Sequence, residues 1–475
     1  MSKAAGFGVQ IGEMDLGEGL AWVSLVCIRN YHKRSDRVFT TDEERKGLPF
    51  VSILRPIKGL DPHLETTISS VFYITYPKDK YEVLLCLPSE DEPALPMLRE
   101  ILKQHPDVNA RILVGEEDVG PNPKIRNMSR GYREAKGDIM WILDSNVWVT
   151  EGILERSVQT LQGKDGALGY KLVHHLPLCI DAPEENEEAL SLKKSFGGRL
   201  EETFMSTSHA KFYVAINTVA VAPCLVGKSN LFRKSHLAEV TPSCPGINYF
   251  AHNICEDHLI GDILWKTPLQ AELKGDEKWR RHGLAQDVVL QPISGMKTTQ
   301  YLARRTRWLR VRKWTVLAAT LVEPTTESLV SSLMGAYAWT TLYPHLIPVI
   351  QPSIPPFLTF CLIQLSAWCL VDRILSSFLH SYLTQEPTEN TPEFVVKRTA
   401  RRSFGTWVRQ WIGREIFAFP IWFWAMMPGT VKWRGSRYYV GMDMKVKALD
   451  KGKAPKVVQV DANEGEALMT ASLVE

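Results

Sequence analysis

Apolar positions between residues 48 and 320 fall into short runs separated by amphipathic stretches. "FVSILRP" (Phe50–Pro56), "YEVLLCL" (Tyr81–Leu87), "ARILVG" (Ala110–Gly115) and "DIMWIL" (Asp138–Leu143) are nearly continuous apolar runs. Runs of that length suit strands buried on both faces. Between them, "PHLETTISSVF", "PALPMLREILKQH" and "NPKIRNMSRGYREAKG" place apolar residues at helical spacing. The second carries proline in its first turn; the third has Asn122 as predicted N-cap and Gly137 as predicted stop. Strands alternating with helices of about 10–15 residues predict right-handed βαβ units and a parallel sheet. The expectation is an α/β, Rossmann-like nucleotide-binding domain over residues 48–320.

The pattern then changes. Leu329 to Gln351 is 23 residues without a charge, and Pro355 to Val371 is 17 more before Asp372 and Arg373, with apolar residues continuing to Leu379. A third block, Ile416–Met427, has 12 residues. A bilayer core of roughly 30 Å needs about 20 apolar residues as helix. The first two blocks read as spans, or as core helices of a buried domain. The third reads as a re-entrant or interfacial helix. Pro344, Pro348 and Pro420 are expected to kink these segments. Near the start, Gly19–Ile28 is an apolar run of ten followed by Arg29, His32, Lys33, Arg34 and Arg37. It reads as a short or truncated membrane anchor. Its basic flank, like Arg398–Arg402, is expected on the cytosolic side. Four regions follow: an N-terminal segment (1–47), a catalytic domain (48–320), membrane-associated helices (321–440) and a polar tail (441–475).

A net charge of +3 on 475 residues gives no nucleic-acid footprint. The eight cysteines include no CxxC pair, so they form neither a disulfide framework nor a zinc-site spacing, and they read as reduced thiols. No GxGxxG follows the first strand and no GxxxxGK[ST] occurs, so neither a dinucleotide fingerprint nor a P-loop is present.

Three acidic sites and one basic site hold the candidate chemistry. "SEDEP" (Ser89–Pro93) brings Asp91 and Glu92 after the second strand, "LDSN" brings Asp144 after the fourth, and "CEDH" (Cys255–His258) brings Asp257. "RRTRW" runs from Arg304 to Trp308. Taken singly, Asp144 is a turn residue, the other acids are solvated loops or ion-pair partners, and "RRTRW" is a basic helix face beside a membrane. Ligands, however, bind at the carboxyl edge of an open α/β sheet, and a carboxylate there suits a divalent cation.

In order along the chain, "RPIKGLDPHLE", "YPKDKYEVLLC", "NPKIRN", "AKGDIMWILDS", "TSHAKFY", "EDH", "RRTRW", "EPTTES" and "VKWRGSRYYV" resemble the ceramide glucosyltransferases, family 21 glycosyltransferases of GT-A fold. The resemblance covers about residues 48–440. It implies a GT-A domain with C-terminal transmembrane or re-entrant helices. It implies metal-dependent, inverting transfer of glucose from UDP-glucose to the primary hydroxyl of ceramide, the first step of glucosphingolipid synthesis. It also implies a multi-pass Golgi membrane protein with its catalytic domain in the cytosol. Carried over, Asp144 holds the metal (Mg²⁺ or Mn²⁺) and diphosphate, and Asp257 is the catalytic base. Arg304, Arg307 and Trp308 form the (Q/R)xxRW signature, and His209 lies near the donor. Where the family has an aspartate after the second strand, this chain has Glu92 with Asp91 beside it. Lys266–Leu284 reads as an insertion.

The physics of the residues agrees. Charge develops on UDP as it leaves, and a cation on Asp144 with guanidinium groups from Arg304 and Arg307 would stabilise it. Asp257 can take the acceptor hydroxyl proton, with Glu256 and His258 as alternative bases. Trp308 reads as a wall of the acceptor cleft or as an interfacial anchor, and His209 as a donor-site or a structural histidine. Two rival readings remain open: a processive polysaccharide synthase of the chitin or hyaluronan type, which carries Gln where Arg304 stands, and a non-catalytic membrane protein that binds nucleotide sugar.

Overall fold

The computed structural model describes residues 24–29, 31, 46–163, 166–182, 196–220, 222–342, 353–382, 388–396, 403–433 and 436–449. Among them, seven strands form one sheet: β1 (Val51–Pro56), β2 (Tyr81–Leu87), β3 (Ala110–Val114), β4 (Ile139–Leu143), β5 (Tyr170–Asp181), β6 (Ser229–Arg233) and β7 (Arg280–Ile293). The order is β3-β2-β1-β4-β6-β5-β7. The four strands expected from the sequence pair in parallel, β1 lying between β2 and β4. Beyond those four, β6 runs antiparallel to both β4 and β5, while β5 and β7 pair in parallel.

The helices beside the sheet are α1 (Leu64–Ser69), α2 (Leu95–Gln104), α3 (Pro123–Glu134), α4 (Ile153–Gln162), α5 (Phe196–Phe204), α6 (Ala210–Val219), α7 (Lys234–Val240), α8 (Glu256–Lys266) and α9 (Thr298–Arg312). Strand side chains alternate between faces. Ile53, Val83, Leu85 and Trp141 pack with residues of α1, α2 and α4. Leu54, Leu84, Cys86 and Met140 pack with residues of α3, α7 and α8. Burial on both faces explains why these strands read as unbroken apolar runs. Asn122 caps α3 as expected, its side chain accepting from the Lys124 and Ile125 amides. Gly137 does not stop α3, which ends at Glu134. A Cβ on Gly137 would lie 2.8 Å from the Phe50 carbonyl oxygen, so glycine there lets the chain pass close to β1. The stretch read as an insertion holds the end of α8, a short helix (Gln270–Lys274) and the start of β7.

Beyond the sheet lie α10 (Ser328–Tyr337), α11 (Ile354–Tyr382) and α12 (Phe404–Met426). Among the described residues one helix is long and apolar enough to cross a membrane, Ile354–Ser381, with mean hydropathy 1.8. Leu358, Leu362, Ile363 and Leu370 stand exposed along it. The block from Leu329 does not continue as one long α-helix. α10 passes into a π turn (Ala338–Leu342), and residues 343–352 lie outside the described residues. The third apolar block is the second half of α12, whose first half carries Arg409, Arg414 and Glu415. Asp372 does not interrupt α11. It is fully buried and paired with Lys211 at 2.6 Å and Arg414 at 3.2 Å, and it accepts from the Trp411 indole at 2.8 Å. Of the N-terminal run, Cys27 is buried in the cluster that holds Leu375 and Leu379 of α11. Most of residues 1–45, Arg398–Arg402 and residues 450–475 lie outside the described residues.

Three further strands, β8 (Val431–Trp433), β9 (Ser436–Val440) and β10 (Val446–Ala448), form a small antiparallel sheet. It returns to the main domain where the Asn253 side chain donates to the Met444 carbonyl at 3.0 Å.

Candidate active site

β4 delivers Asp144 to the carboxyl edge of the sheet. The turn after it is fixed by Arg55, whose guanidinium donates to the carbonyls of Ser145 (2.9 Å) and Val147 (3.2 Å). Thr67 donates to the same Ser145 carbonyl at 2.7 Å. Because β6 runs backward, the loop before it, Val226–Lys228, arrives at this edge too. The Asp144 amide donates to the Lys228 carbonyl at 3.0 Å. Asp144 is thus both a turn residue and an edge carboxylate.

Each Asp144 oxygen meets an ammonium group. Lys124 approaches Oδ1 at 2.9 Å and Lys228 approaches Oδ2 at 3.0 Å. Lys228 also donates to Asn146 at 2.9 Å. Lys124 reaches across to Glu256 at 3.2 Å, and Asn122 donates to the other Glu256 oxygen at 3.0 Å. These contacts tie the N-terminal turn of α8 to β4. Asp257 follows Glu256 and faces Gly227: a Cβ on Gly227 would lie 3.1 Å from Asp257 Oδ2 and 3.1 Å from Lys124 Nζ. A side chain there would press on Asp257 and Lys124.

The two aspartates differ electrostatically. Burial works against the Asp144 charge, but Lys124 and Lys228 outweigh it and hold the carboxyl well below its usual range. Asp257 is pushed up to about 7, first by burial, then by the neighbouring Glu256, with Lys124 only partly offsetting them. Burial and the Arg312 charge push His258 down to about 4, so it is neutral at pH 7.

The other expected residues sit around this centre. Glu92 is buried after β2 and accepts from the Gly59 amide of the β1–α1 loop, while Asp91 is exposed. Arg304 donates to Glu201 at 2.8 Å and to Gln291 at 3.0 Å. Trp308 lies half-buried under the guanidinium groups of Arg304 (4.9 Å) and Arg305 (5.3 Å) and packs between α9 and its neighbours. Arg307, one turn after Arg304 on the same helix, is half-buried. His209 ends the π turn Met205–His209 and stacks on Tyr213, ring centroids 5.3 Å apart. Burial and the charges of Arg305 and Arg312 push it down to about 3, so it too is uncharged. Sequence reasoning missed Lys124, Lys228 and Glu201. "NPK" stood out as a helix start and within the family motif "NPKIRN", neither of which singles out Lys124, and "GKSN" carries no signal until β6 is known to run antiparallel.

Among the described residues no three His, Cys, Asp or Glu side chains gather as a metal cage. A lone carboxylate at the rim does suit Mg²⁺ or Mn²⁺, which take most of their ligands from phosphate oxygens and water. Both Asp144 oxygens meet ammonium groups, so a divalent cation that arrives with a diphosphate would bind there by replacing one of those contacts.

The family model described as Glycosyl transferase family 21 matches residues 19–446. The chain belongs to that family. It is 41% identical to a ceramide glucosyltransferase of Gibberella zeae, over 85% of this chain and 86% of that protein. It is 43% identical to a ceramide glucosyltransferase of Pyricularia oryzae, over 84% and 86%. Among solved structures, the mannosyltransferase PcManGT from Pyrobaculum calidifontis in complex with GDP-Man and Mn²⁺ is similar at TM-score 0.38. It is 14% identical and covers 86% of this chain and 96% of that one.

Proposed function

We propose that this family 21 glycosyltransferase transfers glucose from UDP-glucose to the primary hydroxyl of ceramide, giving glucosylceramide with inversion at the sugar. The observation that carries the chemistry is that Lys124, paired with Asp144 at 2.9 Å, and the Asp257 carboxylate meet beside Gly227. The names of the relatives supply the acceptor and product class.

In this reading Asp144 would hold a divalent cation with the donor's diphosphate, and the cation supplies charge that stabilises UDP as it leaves. Asp257 takes the proton from the acceptor hydroxyl as the bond to the sugar forms. A carboxyl poised near 7 is matched to that task at neutral pH. Glu256 serves differently, because both of its oxygens are committed to Asn122 and Lys124. Arg304 is committed to Glu201 and Gln291 and holds α9 in place. Arg307, on the next turn, is assigned to the diphosphate. Glu92, fixed on the Gly59 amide, is assigned to the nucleotide side in preference to Asp91. The exposed apolar face of α11 supports a membrane setting, in which a lipid acceptor would reside.

The test is Asp257→Asn, which keeps the shape and removes the base. Turnover is expected to fall by at least about a hundredfold while UDP-glucose affinity stays within about twofold. More than about a tenth of wild-type turnover in the variant would refute the base assignment.

A further inference from the structure

We propose that Lys228 is a direct ligand of the donor's diphosphate, an assignment that rests on the nucleotide-sugar reading above. A carboxylate alone repels a diphosphate. Here both Asp144 oxygens carry ammonium groups, at 2.9 and 3.0 Å, so its negative charge is offset at each oxygen. The two lysines are not equivalent. Lys124 is shared between Asp144 and Glu256, so two carboxylates offset its charge. The second partner of Lys228 is the neutral Asn146 side chain. Lys124 thus answers two carboxylates and Lys228 only one, so Lys228 is the less compensated of the two ammonium groups.

Its position agrees with that role. The Lys228 backbone is pinned, its amide donating to Val226 at 2.7 Å and its carbonyl accepting from Asp144 at 3.0 Å. The preceding Gly227 passes beside Asp257. The Gly227–Lys228 segment therefore runs from the base to the phosphate-holding carboxylate. A leaving diphosphate between those two acids lies within reach of the Lys228 ammonium. A charge-assisted hydrogen bond from lysine to a phosphate oxygen needs only a point charge, which a flexible ammonium supplies.

The experiment measures UDP and uridine binding to the full-length chain in detergent by calorimetry, with Mn²⁺ held constant. Lys228→Met is expected to weaken UDP by about ten- to a hundredfold, the worth of one charge-assisted hydrogen bond. Uridine, which has no phosphate, should bind the variant as it binds the wild type. Lys228→Arg should recover most of the UDP affinity. UDP binding unchanged in Lys228→Met, or UDP and uridine weakened equally, would overturn the assignment. A wild-type chain that binds UDP with this pattern yet forms no glycolipid would refute the reaction proposed above and leave the Lys228 contact standing.

Discussion

Glu256 and Asp257 are chain neighbours with different surroundings, and the difference decides their chemistry. Glu256 is buried and engaged by Asn122 and Lys124, whereas Asp257 faces Gly227 with a carboxyl raised to about 7. As a base, Asp257 must be ionised, so turnover should rise with pH through about 7. Glu256→Gln removes one of the charges that hold that carboxyl up and frees Lys124 to stabilise its ionised form. The acid limb of the pH–rate profile should therefore move to lower pH in the variant. An unmoved limb would show that Asp257 is not the titrating group. Stability runs the other way. An aspartate titrates near about 3.9 in an unfolded chain, and here the folded value is raised. Its contribution is full below the unfolded value and is lost as pH rises through about 7. Asp257→Asn should thus melt no lower than wild type at pH 8; a lower melting temperature there would indicate structural damage. Both aspartates were legible in the sequence, as carboxylates in a family order. Lys228 was not, because its role depends on which neighbour the next strand pairs with.

At the level of elements, the four apolar runs became strands as expected, since burial on both faces writes a continuous pattern. β6 was not foreseen: Ser229 and Asn230 open its five residues with polar side chains, and a short mixed strand leaves no period to read. The charges in the C-terminal blocks also misled. Asp372 looked like a break, yet it is the centre of a buried network that joins α11 to α6 through Lys211 and to α12 through Arg414. Removing one member of a buried ion cluster leaves the others uncompensated. Asp372→Leu should therefore destabilise the protein by about 3–5 kcal/mol, read as a lowered unfolding midpoint in detergent. The double variant with Lys211→Met should recover part of the loss. A single variant as stable as wild type would contradict the network's structural role.

At the scale of the whole molecule, a sheet edge that carries carboxylates and lysines and an exposed apolar helix belong to one chain. The sheet carries Asp144 and Lys228 to its carboxyl edge, and α11 carries an exposed apolar stripe long enough to span a bilayer. We predict that residues 1–35 are dispensable for attachment: chain lacking them should still float with liposomes after carbonate treatment. Recovery in the soluble fraction would place the anchor elsewhere. The fold class was readable from periodicity, whereas the number of helices that cross a membrane was not, because apolar length alone does not say whether a helix faces lipid or protein. The proposed reaction places glucose on a membrane lipid at this edge. The most direct measurement is to incubate the purified chain, in vesicles containing ceramide, with labelled UDP-glucose and a divalent cation, and to identify the labelled product. Label is expected in glucosylceramide, and absent from it in Asp257→Asn. Label in a growing polysaccharide, or in free glucose with no glycolipid formed, would contradict the account.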